Sequence, residues 1–591
     1  MSRGDKAPPG AYRPPVDDLL LALEVVGLGE LLRLERFAHV ERDVVEAALA
    51  EFGRLAAEVL APLDAPGDRA GATFDAATGQ VRTPAGFAAA YARYVEAGWG
   101  ALQFPRSVGG GGFPAVVALA LQEIFAAANL SLSLAPVLTQ GAIELLLAWG
   151  SEEQRRTYLP HLLTGEWTGT MELTEAEAGS DLAPVRTEAR RGADGTWRVT
   201  GTKIFITWGE HDLAENIVHL VLARTPGAPP GTRGLSVFLV PKLLPTPAGL
   251  GGRNAVACQG VERKLGLHAS PTCVMRYEGA AAELVGALQG GMRTMFTMMN
   301  AARLSIGLEG PAIGERAYQQ ALGYARTRLQ GRVPGLRPPQ RSAIVEHADV
   351  RRMLLLMRTG VQAARLLVLY AASRRDLAHQ ADAPAAAAAR SELDLLTPIA
   401  KAWASDLGVA IASLAVQVFG GAGYLEETGV AQRLRDARIV PIYEGTNGIQ
   451  AIDLVTRKLP GEGGAAMRRL LGAVGATATR LEARGGILGV SGRALAAAGA
   501  ALEAATDWLL ARGRGEDALA GATAYLELAG LTLGGWLMAR RALVATGDQA
   551  TLAEAECHFY AVEYLSRAPG LLQPVTAGAT RLSRLAGERE G

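Results

Sequence analysis

Three short segments hold most of the side chains able to do chemistry. Met171-Glu-Leu-Thr-Glu-Ala-Glu-Ala-Gly-Ser-Asp181 offers hydroxyls at Thr174 and Ser180. Lys203-Ile-Phe-Ile-Thr-Trp-Gly209 offers the Phe205 ring and the Thr207 hydroxyl. Pro441-Ile-Tyr-Glu-Gly-Thr-Asn-Gly-Ile-Gln450 offers Tyr443, Glu444 and Thr446, and is preceded by Val416-Gln-Val-Phe-Gly-Gly-Ala-Gly-Tyr424. A carboxylate such as Glu444 can take a proton as a general base. Taken in isolation, a carboxylate just ahead of Thr446 and an amphipathic helix is better explained as complementing the helix dipole. Ser180 has a competing role as a turn former or helix N-cap. Phe205 is as readily a strand core residue, Tyr443 plain packing, Arg303 a surface ion-pair partner, and Gly420 with Gly421 a helix C-cap.

The elements that must position these groups follow from periodicity. Residues 15–165 read as helical: the runs beginning at Asp18, Val44 and Phe87 carry apolar residues at three- and four-residue steps. The glycine run 109–112 lacks a following Gly-Lys-Ser/Thr, so it is no phosphate-gripping P-loop and is expected to be a flexible connection. From Thr168 to Gly286 the texture is that of strands, at 197–206, 217–222 and 235–240, with Asp194-Gly195 as a tight turn. Helices return after Gly290. The best-formed is predicted over 398–418, with Thr397 capping its start, Pro398 in the first turn and Gly420-Gly421 ending it. Pro/Gly-rich breaks fall at 331–339 and 460–464, and an Ala/Leu-rich helical stretch closes the chain. The expectation is an α+β multidomain protein: an N-terminal lead-in and helical domain (1–166), a middle β-barrel domain (167–286), a four-helix-bundle-type domain (287–460) and a further helical extension (461–591). No G-x-G-x-x-G follows a strand, which argues against a Rossmann domain.

Composition narrows the partners. The 591 residues carry 59 Lys plus Arg and 59 Asp plus Glu, a formal net charge of zero. That gives no support for nucleic acid or an anionic membrane surface as a partner. The N-terminus lacks a signal-peptide core, and no uncharged apolar run is expected to reach the length of a membrane span. Three separated cysteines, Cys258, Cys273 and Cys557, suggest reduced thiols in a soluble cytoplasmic protein. The eight histidines show no metal-ligand spacing, so no metal is expected, and His211 and His219 read as core or surface polar residues.

Taken together and in this order, the three segments resemble the acyl-CoA dehydrogenase family over residues 44–460. The lead-in and the extension beyond Pro460 look like the longer subgroup that includes methylthiopropionyl-CoA dehydrogenases. The resemblance implies FAD as cofactor, an acyl-CoA thioester as substrate and Glu444 as the base that removes the substrate α-proton. It places Met171, Leu173 and Thr174 at the isoalloxazine edge, Phe205 on a ring face, Thr207 near N5, and Thr446 among the cofactor contacts. Ser180 touches flavin or the CoA chain, Arg303 lies near the CoA phosphates or pantetheine, and Tyr443 and Gly445 line the thioester site. Arg328, Gln417, Gly420 and Gly421 match residues that hold the dinucleotide of a neighbouring subunit, an arginine fork suiting phosphate oxygens.

Some family members carry the base on an earlier helix. The matching position here is Ala302, which cannot accept a proton. The chain also departs from the family pattern elsewhere: Phe205 stands where tryptophan is common, Ala176 where proline is, and Gly448 where glutamine is, and no aromatic precedes Gly331. The resemblance further implies an electron-transferring flavoprotein as electron acceptor and a homo-oligomer, expected to be a dimer. Two rival functions are an oxygen-using acyl-CoA oxidase and a catalytically silent scaffold. Oxidases often carry Asp after the motif glycine, where this chain has Thr446.

Overall fold

A computed structural model describes residues 11–333, 341–379 and 383–583. Most of the 331–339 break therefore lies outside the described residues. In chain order the principal helices before the sheet are α1 (Val16–Val25), α2 (Arg42–Leu55), α3 (Phe87–Glu96), α4 (Ala115–Ala128), α5 (Leu130–Trp149) and α6 (Glu152–Thr164). The sheet strands are β1 (Trp167–Glu172), β2 (Glu188–Arg191), β3 (Trp197–Thr207), β4 (Asn216–Arg224), β5 (Leu235–Pro241), β6 (Val256–Val261) and β7 (Thr272–Val285). Then come α7 (Gly291–Thr327), α8 (Ala348–Ala378), α9 (Ala383–Phe419), α10 (Val430–Ala437) and α11 (Asn447–Asp453). The last group is α12 (Ala465–Arg484), α13 (Gly486–Arg512), α14 (Glu516–Val544) and α15 (Asp548–Glu563). The chain folds into two compact units, one of residues 58–113 and 128–305, the other of 1–57, 114–127 and 306–591.

In the first unit, the seven strands form one sheet in the order β6-β7-β3-β2-β4-β1, and β5 bonds to both β7 and β4. β4 and β5 are buried along their length, and Val199, Ile206, Val221, Phe238, Val240 and Tyr277 close one core on the sheet. Between β2 and β3 the turn spans 192–196: the Gly192 N–H donates to the Thr196 carbonyl at 2.8 Å, and Gly195 alone takes positive φ, at +80°. The glycine run 109–112 is not the loose connection expected. Gly110, Gly111 and Gly112 donate to the carbonyls of Pro105, Ala101 and Phe104, and a Cβ at Gly110 would overlap the Phe104 carbonyl. Gly110 and Gly111 are needed for their small size, and Gly109 and Gly112 for their positive φ, of +94° and +69°.

In the second unit, the helix predicted to begin at Pro398 begins much earlier, at Ala383. Thr397 does not cap it; its hydroxyl donates to the Leu393 carbonyl one turn back, at 2.7 Å. The low-complexity alanines at 385–389 are good helix formers and extend the helix upstream, and Pro398 is carried inside it. The predicted end is observed: Gly420 follows α9 at φ +62°. Residues 462–464 all take positive φ, which terminates the preceding turn and redirects the chain into α12.

The extension shares this unit's core. Gly530 and Gly534 of α14 lie against the Trp403 ring of α9, the Trp536 indole N–H donates to Thr477 at 3.0 Å, and Tyr564 donates to the Leu356 carbonyl at 2.9 Å. Arg541 pairs with Glu556 at 2.6 Å, both side chains 2% exposed, and Glu556 also accepts from Arg358, which bonds Asp18 of α1. Charges so buried are retained only where partners satisfy them.

The expectation that no segment has the length and composition of a membrane span is corrected. Among the described residues, four helices are long and apolar enough: Leu130–Trp149, Ala348–Ala378, Pro384–Tyr424 and Gly486–Arg512. For the first two, 83% and 89% of the apolar window is buried inside the protein, so there the apolar run serves the core.

Candidate active site

In the sheet unit, the sequence-predicted residues at 171–174 and 205–207 are brought together by cross-strand bonds. Thr170 donates its hydroxyl to the Thr207 carbonyl at 2.8 Å, and the Ile204 N–H donates to the Thr174 carbonyl at 2.9 Å. The fully buried Lys203 ammonium donates to the Leu173 carbonyl at 2.9 Å and to the Glu175 carboxylate at 2.8 Å. Glu175 in turn accepts from the Arg186 and Thr187 N–H groups, at 2.7 and 3.0 Å. Burial pulls the Lys203 ammonium below its usual range, opposed by Glu175. Burial pushes Glu175 up, but Lys203 and the hydrogen bonds outweigh it and hold the carboxyl below its ordinary value. The sequence reading assigned Lys203 no role; it is the strut beneath the 173–175 segment. Its position in the same short motif as Phe205 was the available signal.

Phe205 is not a strand core residue. Between the pairs Cys273↔Ile206 and Met275↔Lys203, β3 carries one residue more than β7, and in this bulge Phe205 takes φ +59° and presents its side chain 59% exposed. A bulge re-aims a side chain away from the alternation of its strand. Met171 and Leu173 are buried, Thr174 and Thr207 half-buried, and Ser180 exposed in a bend. Arg303 is not a surface residue: it is 6% exposed, donates to Asn300 at 3.2 Å, and lies 5.6 Å from the Phe296 ring centre. His219 and His211 are core residues, His219 Nδ1 lying 2.7 Å from Glu172 and His211 Nε2 2.9 Å from Thr168.

In the helical unit, Glu444 occupies a loop between α10 and α11 with φ +54°, followed by Gly445 at φ +87°. Two consecutive left-handed residues reverse the chain so sharply that the Asn447 N–H reaches back to the Pro441 carbonyl, at 3.0 Å. Thr446 ends the reversal as the N-cap of α11, its hydroxyl accepting from the Ile449 N–H at 3.2 Å. The buried Lys401 ammonium of α9 donates to the Gly445 carbonyl and the Asn447 side-chain oxygen, both at 2.9 Å. Asn447 donates back to Ala402 and Ser405 of α9. On the other side of Glu444, the Tyr443 hydroxyl donates to the Glu309 carboxyl of α7. Glu309 is 1% exposed, and burial pushes its pKa up to about 8, against the pull of Tyr443 and Lys401 and with the charge of Glu444 adding to the rise. Burial likewise raises the Tyr443 phenol well above its usual value. Lys401 and Glu309 were both missed in the sequence, since each lies on a helix far along the chain from the 441–450 segment.

A second group forms at the joined ends of α7 and α9. The Tyr324 and Phe419 rings stack at 4.2 Å. Arg328 follows one turn beyond Tyr324, its N–H donating to the Tyr324 carbonyl at 2.9 Å, while Gln417, Gly420 and Gly421 flank Phe419. Arg328, Gln417 and both glycines are exposed, and a Cβ at either glycine would meet no neighbour within 4 Å. These donors fit FAD in kind: an exposed ring face and hydroxyls in the sheet unit, and an arginine with open glycine backbone in the helical unit. Among the described residues, no three His, Cys, Asp or Glu side chains converge as a metal site.

Family profiles match almost the whole chain. "Acyl-CoA dehydrogenase, N-terminal domain" covers residues 44–166, the middle domain 170–280 and the C-terminal domain 289–459. "Acetyl-CoA dehydrogenase C-terminal like" covers residues 470–586. A 3-methylmercaptopropionyl-CoA dehydrogenase of Ruegeria pomeroyi is 46% identical over 92% of this chain and 93% of its own. The fold is shared with Caenorhabditis elegans ACDH-11, solved with C11-CoA, at a TM-score of 0.76 and 22% identity over 94% of this chain and 93% of that one. It is shared too with a Bacillus anthracis acyl-CoA dehydrogenase solved with FAD, at a TM-score of 0.70 and 18% identity over 99% of this chain and 93% of that one. With its N-terminal helical, middle sheet and C-terminal helical domains and the added helical extension, the chain belongs to the acyl-CoA dehydrogenase family, a family of FAD-dependent oxidoreductases.

Proposed function

We propose that this protein dehydrogenates an acyl-CoA thioester to the trans-2-enoyl-CoA, with Glu444 removing the α-proton. The observation that carries this reading is the base loop: a half-buried carboxylate held in a left-handed conformation between two anchors, Lys401 on Gly445 and Glu309 on Tyr443. A thioester α-proton is weakly acidic, so its removal needs a carboxylate fixed in place and a stabilised enolate. The Glu444 backbone N–H is assigned to the thioester carbonyl, where it would bind the developing oxyanion. Tyr443 and Gly445 line the thioester site, and Ser180 and Arg303 hold the CoA moiety.

FAD, when bound, supplies the acceptor for the β-hydrogen. Phe205 offers a ring face to it, Met171, Leu173, Thr174, Thr207 and Thr446 its polar contacts, and Arg328, Gln417, Gly420 and Gly421 the dinucleotide contacts for a second copy of the chain in a homodimer. The sheet that carries Phe205 is read as a barrel, since β5 bonds to both β7 and β4. Electrons pass on to an electron-transferring flavoprotein. The 46% identity to an enzyme named for 3-methylmercaptopropionyl-CoA favours a short, sulfur-bearing acyl chain. The test is turnover with loss of two hydrogens from the acyl-CoA, measured by mass spectrometry; turnover that survives Glu444→Gln removes Glu444 as base.

A further inference from the structure

The helical unit buries a second carboxyl beside the base loop that the reaction above does not use. Glu309 of α7 is 1% exposed. One of its oxygens, Oε2, accepts from the Tyr443 hydroxyl, while Oε1 is buried with no hydrogen-bond partner. Lys401 of α9 and Glu444 face Glu309, and Glu444 and Asp436 of α10 face Tyr443. Lys401 is committed to Gly445 and Asn447. An ionised Glu309 would therefore bury a charge with one oxygen bare, whereas the neutral acid leaves only an uncharged group unpaired at Oε1.

We propose that Glu309 is a positioning residue for the reaction: in its protonated form it anchors Tyr443, and so aims the adjoining Glu444, while leaving the base loop with a single negative charge. The inference rests on Glu444 being the base. Tyr443 precedes Glu444 directly, so fixing its hydroxyl in the interior fixes the chain on one side of the base, as Lys401 does on the other. Deprotonating Glu309 keeps the Tyr443 hydroxyl bond but sets a second carboxylate against Glu444 and leaves charge on Oε1, which no donor meets. The raised pKa of about 8 places that transition just above neutrality.

Stability gives a readout that needs no substrate. Glu309 has an ordinary value of 4.5 and a folded value of about 8, so between these the folded chain keeps a proton that the unfolded chain has lost. Stability therefore falls as pH rises through that window and levels off above it.

The experiment compares the FAD-loaded wild type with Glu309→Gln, Glu309→Ala, Tyr443→Phe and Glu444→Gln, recording Tm and kcat from pH 5 to 9. Glu309→Gln is expected to flatten the fall in Tm and to abolish a wild-type loss of kcat with a midpoint near about 8, keeping kcat within about threefold at pH 7. Glu309→Ala and Tyr443→Phe are expected to lose about tenfold in kcat with little change in KM, the mark of a displaced base rather than weakened binding. Coincident pH profiles of Tm and kcat in wild type and Glu309→Gln overturn the proposal, as does wild-type kcat in Tyr443→Phe. Both variants decide the matter even where Glu309→Ala fails to fold. Turnover by Glu444→Gln overturns instead the reading of the base, and the Tm comparison still reports on Glu309.

Discussion

Phe205 and Glu444 share a backbone conformation that residues bearing a Cβ seldom adopt, with φ of +59° and +54°. Such strain costs about 1–3 kcal/mol per residue and persists only where the surroundings dictate it. At Phe205 the dictating feature is the β3–β7 bulge, which leaves an exposed ring where strand alternation would place a core side chain. The ring is assigned to FAD, and ring stacking contributes about 0.5–1.5 kcal/mol. Phe205→Ala is therefore expected to weaken FAD binding to apoprotein by about 3- to 10-fold, and Phe205→Trp to preserve it, as read by fluorescence titration. Equal affinity in all three proteins would remove Phe205 from the cofactor site. At this scale the residue types were legible in the sequence, but not their strain. Nothing in Lys203-Ile-Phe-Ile-Thr announces a bulge, because that depends on how many residues β7 sets opposite it.

The loop that carries Glu444 is held by elements far from it in the chain, α7 through Glu309 and α9 through Lys401. Lys401 is fully buried, and it donates to the Gly445 carbonyl of the loop and to Asn447 at the start of the following helix. Removing the lysine leaves the Gly445 carbonyl and the Asn447 side-chain oxygen with only the longer contacts from Gln450 at 3.5 Å and Ser405 at 3.3 Å, a loss of about 1–3 kcal/mol for each charge-assisted bond. Lys401→Met is expected to lower Tm and to reduce kcat more than it raises KM, as melting curves and steady-state kinetics would show. An unchanged kcat would mean that the loop holds its form without the lysine. The sequence pattern located α9 and its end at Gly420 but misplaced its start. Proline in the first turn is the commoner use, and the alanine run that extends the helix upstream looked like low complexity. The tertiary partners of the base loop were not legible, because helical periodicity reports which face of a helix is apolar and not which buried polar residue faces a given loop.

Within the helical unit, the extension is part of the core rather than an appendage. Gly530 and Gly534 are glycines because a Cβ at either would crowd the Trp403 ring, so α14 covers that face of α9 within one chain. Asp18, Arg358, Glu556 and Arg541 tie α1, α8, α14 and α15 into one buried charge network. A face already filled by α14 is closed to a second copy, which is why a homodimer is expected; light scattering of the FAD-loaded protein reports it, and a tetramer would contradict it. The order of helical, strand and helical segments was legible from periodicity and from the breaks near Gly286 and Pro460. The sharing of one core by the lead-in and the extension was not, since the charges that join them are spread over more than five hundred residues of chain.

Glu444 is proposed to take the substrate proton in an FAD-dependent dehydrogenation. Anaerobic titration of the FAD-loaded protein with acyl-CoAs, in parallel with Glu444→Gln, tests it most directly. The visible flavin band of the wild type is expected to bleach with an acyl-CoA, while Glu444→Gln retains its FAD and binds the same thioester without bleaching. Bleaching of Glu444→Gln at the wild-type rate, or a wild-type flavin that no acyl-CoA reduces, would contradict it.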